Sequence, residues 1–356
     1  MKTGLTIDEL AAEIMREKEA KKDYIVDSRK LRMESWNSTL MLRVLDDDQA
    51  DRIEPLDISE NAHRQIGSRL NIPAKYYTRM LSECPALLTQ NVNHWFEHAP
   101  ENRMLRVLDG KMRAFVSNRY LRIDHHEVAC AVMPVIGEIT DVQFVSCEIT
   151  DNRMYIKVVN PNLQQELAPG DTVQAGLVVS NSENGLGSLM IQPMIYRSEH
   201  QTGIISKAIN IRRVHSGPIY SPRHFFEIQP SSSLLAQDSD FLEQVRDTAR
   251  AAVEEEVFSQ AVEQMRTAMN ARINTDNIPG VIQAAGREFK LNESEQTGVN
   301  LQLHSANDMS MYGLANAVTS HSATLDSYDR ATVLEGIGYD ILTMSNQQWN
   351  RINQAA

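Results

Sequence analysis

Asp109-Gly110 stands between two runs, 103–108 and 111–117, in which apolar residues alternate with polar or charged ones. That dipeptide suits the two-residue hairpin turn whose central residues both take positive φ, so the segment is expected to fold back as an antiparallel pair. A second constraint of the same kind lies within 170–220. There, two apolar alternating runs flank Asn181-Ser182-Glu183-Asn184-Gly185, a turn-forming cluster that reads as another hairpin. Between the hairpins, Asp124 can N-cap a helix through His125, Val128, Ala129 and Val132 that stops at Pro134 and Gly137. Further strands are expected at 142–149, 154–159, 172–180 and 188–196. Hairpin, helix, then several antiparallel strands define an α+β protein: an antiparallel sheet core with packed helices.

The flanks read as helical. Thr6-Ile7-Asp8-Glu9 opens an N-capped helix reaching about Lys18. A short extended piece at 23–27 and a strand at 40–45 follow. Residues 58–70 are amphipathic, with Ala62, Ile66 and Leu70 on one face, and Asn71-Ile72-Pro73 interrupts them. Pro73 fits the first position of a second helix carrying Tyr76, Tyr77, Met80 and Leu81. The spacing is that of a helix-turn-helix, with Lys75 and Arg79 near its second helix. A turn without glycine and an aromatic second helix favour two ordinary packed helices instead. A further helix is expected at 87–98.

Gln229-Pro230-Ser231-Ser232-Ser233 reads as a linker. Beyond it, 240–272 is expected as one long amphipathic helix, with Glu254-Glu255-Glu256 as a solvated face. Ile278-Pro279-Gly280 opens another helix, and 313–320 and 331–345 complete a mainly helical C-terminal region. The division is therefore a mainly helical region at 1–100, a β-rich core with one helix at 101–229, and a helical region at 230–356.

The net charge of −12 excludes wholesale attraction to nucleic acid or anionic lipid, so any anion binding must come from local patches. The first residues are too polar for a signal peptide, and no apolar run approaches the ~20 residues of a membrane helix. The expected setting is the cytoplasm of a bacterial host. Cys84, Cys130 and Cys147 have no metal or disulfide spacing, and Cys130 and Cys147 are expected in the core.

Marks of an enzyme are few. Gly185-Leu186-Gly187 is a lone glycine doublet, and there is neither a P-loop nor a nucleophile elbow. His125-His126-Glu127 point in different directions on a helix. His94 and His98 share a face but have no third ligand marked nearby. No metal and no cofactor are expected.

The cations carry the better signal. Arg103, Arg106, Lys111, Arg113, Arg119 and Arg122 interleave with Phe115 and Tyr120. A second group comprises Arg197, Lys207, Arg212, Arg213 and Arg223. Alternation puts Lys111 and Arg113 on one strand face. If that face is exposed, it is a positive strip suited to a single-stranded backbone, with aromatics for base stacking. The same pattern also fits a solvated half-exposed sheet, or ion pairing within or between chains.

Several pieces in one order carry a resemblance. They are Ile72-Pro73-Ala74-Lys75-Tyr76-Tyr77, Val116-Ser117-Asn118-Arg119-Tyr120-Leu121-Arg122, Gly170-Asp171 and Val179-Ser180-Asn181-Ser182-Glu183-Asn184-Gly185. Over about residues 20–230 the chain resembles the phage and plasmid family known as domain of unknown function 932. Relatives often carry Cys-Asn-Gly after the arginine matching Arg197, whereas Glu199-His200-Gln201-Thr202-Gly203 stands here. The resemblance implies a mobile-element setting and no borrowed activity. The element order is also similar, as fold-level analogy, to single-strand annealing proteins, which are oligomeric rings.

The expected function is binding of single-stranded DNA by a non-enzymatic homo-oligomer in recombination, replication or repair, strand annealing included. The alternative is an acidic protein–protein module acting on host machinery.

Overall fold

The computed structural model describes residues 1–36, 39–45, 54–206, 211–213, 226–228 and 239–354. It is an α+β protein with two sheets and a helical C-terminal region. The first sheet runs β13-β1-β5-β6-β4-β3-β2. Its strands are β1 (Lys21–Asp27), β2 (Leu31–Trp36), β3 (Thr39–Val44), β4 (Leu56–Ile58), β5 (Asn102–Leu108), β6 (Lys111–Ser117) and β13 (Phe226–Ile228). All neighbours are antiparallel except β4 and β6. The turn between β5 and β6 has φ of 52° at Asp109 and 76° at Gly110, the geometry that dipeptide favours.

One face of this sheet carries α2 (Glu60–Arg69), α3 (Ala74–Glu83) and α4 (Pro85–His98). Tyr24, Val26, Leu42, Leu105 and Val107 pack there against Ile66, Met80, Leu88 and Phe96. The intervening residues Asp23, Ile25, Met104 and Arg106 are also buried, so they lie on the opposite face. That face meets the second sheet.

The second sheet runs β11-β10-β9-β8-β7, with β12 also pairing β10. The strands are β7 (Gln143–Ile149), β8 (Met154–Ala168), β9 (Asp171–Asn181), β10 (Leu189–Arg197), β11 (Thr202–Ile205) and β12 (Ile211–Arg213). Helices cover both faces, so the first six residues of β8 and most of β9 read as near-continuous buried runs. Ile156, Val158, Leu177 and Val179 pack on α1 (Ile7–Ala20), α5 (His125–Gly137) and α6 (Ser239–Ala251). Val173, Ala175, Ile195 and Ile204 pack on the C-terminal helices. These are α7 (Glu255–Asn270), α8 (Ile278–Phe289), α9 (Glu293–Ala306), α10 (Met311–Ser322), α11 (Tyr328–Leu342) and α12 (Asn346–Gln354). Across that seam, Lys157 on β8 and Glu335 on α11 form a fully buried ion pair at 2.6 Å.

Local signals explain the helix starts. Thr6 and Asp124 both make capping boxes, with Glu9 and Glu127. Pro73 sits one place earlier than expected, at the N-cap of α3.

Besides its helices, the region 1–100 contributes four strands, β1–β4, to the first sheet, and β1 pairs with β5 across residue 100. Two expectations change. The helix expected at 240–272 is two helices, α6 and α7. Glu254 N-caps the second, and Glu255 and Glu256 complement its N-terminal dipole while staying exposed. Cys147 is buried, but Cys130 is exposed on the outer face of α5. The linker expected at 229–233 lies outside the described residues.

No described helix is long and apolar enough to cross a membrane.

Candidate functional site

The end of β9 and the start of the turn after it are polar yet buried: Ser180, Asn181, Ser182, Glu183 and Asn184 are all at most 3% accessible. The segment stays inside because its side chains satisfy its own backbone and that of its neighbours. The Ser182 hydroxyl donates to Asn184 Oδ1 at 2.8 Å, Asn184 Nδ2 donates to the Asp151 carbonyl at 2.7 Å, and Asn181 Nδ2 donates to the Ile123 carbonyl at 2.8 Å. In return, Asn61 and Gln65 of α2 both donate to the Asn184 carbonyl, at 2.9 and 2.8 Å. Gly185 closes the turn at φ 78°, with Val116 and Gln65 so near that a Cβ would meet them at 2.9 and 3.0 Å.

Glu183 is the centre. Lys21 of β1 lies 2.6 Å from its carboxylate and Arg113 of β6 lies 2.8 Å away. The His125 backbone N–H, at the start of α5, donates to Oε1 at 2.6 Å. Burial alone would push this carboxyl up; His125, Lys21, Arg106 and Arg113 outweigh that and hold it well below its usual range. The enclosed His125 ring is itself pushed down to about 4 by burial, so it is neutral at neutral pH.

Arg106, wholly buried, donates to both oxygens of Asp23 at 3.0 and 3.1 Å, to Asp124 at 2.6 Å and to the Glu183 carbonyl at 2.8 Å. Arg122 reaches Asp23 at 3.3 Å. Lys21, Arg106, Arg113 and Arg122 thus face Asp23, Asp124, Glu183 and Glu17. Glu17 differs from the other three carboxyls. Burial pushes its pKa up, its nearest cation is Arg113 at 3.6 Å, and its Oε2 has no hydrogen-bond partner.

Glu17, His125 and Glu183 have ligand atoms within 4.8 Å of one another, the spacing of a metal site. The donor set does not fit one. Lys21, Arg113 and the His125 N–H already occupy the Glu183 carboxylate, and Asn181 Nδ2 lies 3.0 Å from His125 Nδ1. A divalent cation would have to sit beside an ammonium and a guanidinium. The cluster is an ion-pair lock between the two sheets.

Two cavities flank the lock. The first, about 520 Å³, lies between α1, α2, the β5–β6 turn and the β7–β8 turn, with Glu17, Lys111 and Arg113 on its walls. The second, about 550 Å³, lies over α2 and the end of β6. Asn61, Arg64 and Leu186 line both, so the two form one cleft with Leu186 as the ridge between them.

The sequence-derived site residues distribute unevenly over this framework. Lys111 and Arg113 do share a face and line the first cavity. Arg106, Arg113 and Arg122 converge on the lock, where carboxylates consume their charge. Arg103 is nearly buried, pairs with Glu101 at 2.9 Å and lies over the Phe115 ring. Arg197 is at the far end of the second sheet, bound to Asp171 at 2.9 Å and lying over Tyr312. Arg119 is exposed.

Phe115 and Tyr120 are 3% and 7% accessible and present no stacking face to solvent. The reason for Phe115 is a bulge: Arg106 pairs with Ala114 and Val107 with Met112, leaving Arg113 as the extra residue. Strict alternation would put Phe115 beside Lys111 and Arg113. The bulge turns it into the helix-covered core instead, against Phe96. An exposed strip of alternating cations and aromatics therefore does not form on β5 and β6. Arg212 and Arg213 lie on β12 beside Leu189 and Met190 of β10. Lys207 and Arg223 lie outside the described residues.

Glu17, Lys21, Asn61, Arg64 and Glu183 were not legible as site residues. One signal pointed to the lock: Arg106 sits amid Met104, Leu105, Val107 and Leu108, and a cation in so apolar a strand needs a buried partner.

Comparison with family models, with curated proteins and with solved structures finds no match to this chain.

Proposed function

We propose that this protein binds single-stranded DNA in the cleft over α2, as a non-enzymatic component of phage or plasmid recombination, replication or repair. One observation carries the reading. Among the described residues, the second cavity is lined by Arg64, Arg69 and Arg103 and by no carboxylate. Their partners are Glu60 and Glu101 at the rim. Exposed pairs such as Arg64–Glu60 contribute about 0–1 kcal/mol, so a phosphate can replace the carboxylate at little cost. Lys111, on the wall of the first cavity, and Arg119, just after β6, are exposed and in no ion pair among the described residues. The resemblance to the phage and plasmid family supports the setting, and a bacterial cytoplasm goes with it. Assembly of several copies belongs to the same proposal.

A second reading has its own observation. The exposed Glu254-Glu255-Glu256 at the head of α7 would suit a protein–protein module that engages a basic host protein.

The test is fluorescence anisotropy of labelled single- and double-stranded oligonucleotides, titrated with salt. Single-strand binding that weakens steeply with salt is the expected result. Absence of binding to either form at low salt overturns the strand-binding reading and leaves the interaction module.

A further inference from the structure

The two halves of the cleft differ in chemistry, and the difference bears on what each can hold. The second cavity offers arginines and no carboxylate. The first sets six carboxylates, Asp57 and Asp151 among them, beside Arg16, Arg64, Lys111 and Arg113. Asp57 and Asp151 are exposed on its wall, and their carboxylates make no ion pair or hydrogen bond among the described residues. Glu17 and Asn61 also line it, and beneath its wall Glu17 Oε2 and Asn61 Oδ1 have no hydrogen-bond partner. The Asn61 amide is fixed in this sense, because its Nδ2 donates to the Arg113 and Asn184 carbonyls at 3.1 and 2.9 Å. Flipping it would set oxygen against two carbonyl oxygens.

With six carboxylates against four cations, that wall favours a phosphate less than the second cavity does. Its unpaired acceptors attract a hydrogen-bond donor. The volume of about 520 Å³ lies within the range of small-molecule sites, about 300–1,000 Å³, and is ample for a nucleoside.

We infer that the first cavity receives one unstacked base of the strand whose phosphates lie against Arg64, Arg69 and Arg103, and that it selects a base with an exocyclic amino group. The inference rests on the strand-binding reading above. Cytosine, adenine and guanine each present an amino donor, for which carboxylates are fitting acceptors. Thymine has no exocyclic amino group and presents one ring N–H between two carbonyls, so it offers the acceptors Asp57 and Asp151 less. Leu186, 42% exposed, is the apolar ridge over which the chain passes from one cavity to the other. Splaying single bases into pockets that read their edges is a general mode of single-strand recognition.

The experiment is competition anisotropy at low salt with an all-thymidine oligonucleotide and the same oligonucleotide carrying one central deoxycytidine. It is run on the full chain and on the Asp57→Ala/Asp151→Ala variant, whose changes are on the surface. The expected result is tighter binding of the cytosine-containing strand, on the order of tenfold. The preference should disappear in the variant, while all-thymidine binding is kept or tightened. Equal affinity of the intact protein for the two strands, with a steep salt dependence, overturns the base pocket and leaves strand binding standing. A cytosine preference that survives in the variant overturns the assignment to this cavity. Binding of neither strand overturns the strand-binding reading, and the pocket with it.

Discussion

Replacing Arg106 by methionine isolates what the lock contributes to the fold. Methionine keeps an unbranched stem of similar length and removes the guanidinium, which is wholly buried and makes four hydrogen bonds within 3.1 Å. The variant leaves Asp23 with Arg122 at 3.3 Å and removes from Asp124 the cation that holds its carboxyl below the usual range against burial. Breaking a buried pair by removing one partner costs about 3–5 kcal/mol. In a chain of this length that corresponds to a fall in melting temperature of about 4–7 °C. Urea unfolding followed by circular dichroism should show a lower midpoint at an unchanged slope.

The loss also carries a pH signature. Asp124 has its folded pKa depressed, so its contribution is present above the ordinary value of 3.8 and disappears as pH falls through the depressed one. The cost of Arg106→Met should therefore shrink as the medium is acidified below about pH 4. A loss below about 1 kcal/mol at neutral pH, or one independent of pH, refutes the electrostatic lock.

Acid should weaken the intact fold earlier than its carboxylates alone would. His63 and His125 are both pushed from 6.5 to about 4 by burial, so the unfolded chain takes up their protons first and stability falls between those values. Each contributes on the order of 3 kcal/mol to that fall, and His63→Phe should flatten the stability–pH profile measured by urea unfolding over that window. At the seam between β8 and α11, Lys157→Met should cost about 3–5 kcal/mol by leaving Glu335 buried and unpaired. Adding Glu335→Leu should restore most of it, and a double-mutant cycle checks the coupling.

Much of the fold was legible because its signals are local. Asp109-Gly110 sets its turn by backbone preference alone, and Thr6 and Asp124 cap helices with partners three residues away. The first sheet was hidden for the opposite reason. β4 has three residues and pairs in parallel with β6, some fifty positions along the chain, so no short window contains the pairing. The bulge at Arg113 broke the alternation on which the facing of Phe115 rested. The polar run 181–185 revealed its hairpin turn but not its burial. Serine, asparagine and glutamate between two strands have the composition of an exposed turn, and only the arrival of Lys21, Arg113 and α2 from elsewhere allows them to be buried. The cations themselves stood out in the sequence. Their partners could not be seen, because Asp23 and Glu183 lie 83 and 77 residues from Arg106.

The cleft over α2 is the central claim, and Arg64 and Arg69 are the exposed arginines of its second cavity. The decisive measurement is the salt dependence of single-strand affinity for the intact protein and for Arg64→Ala/Arg69→Ala. Each phosphate contact on a single strand contributes about 0.7 to the slope of log affinity against log salt concentration, so two lost contacts should flatten it by about 1.4. An unchanged slope and affinity in the double variant would contradict the cleft.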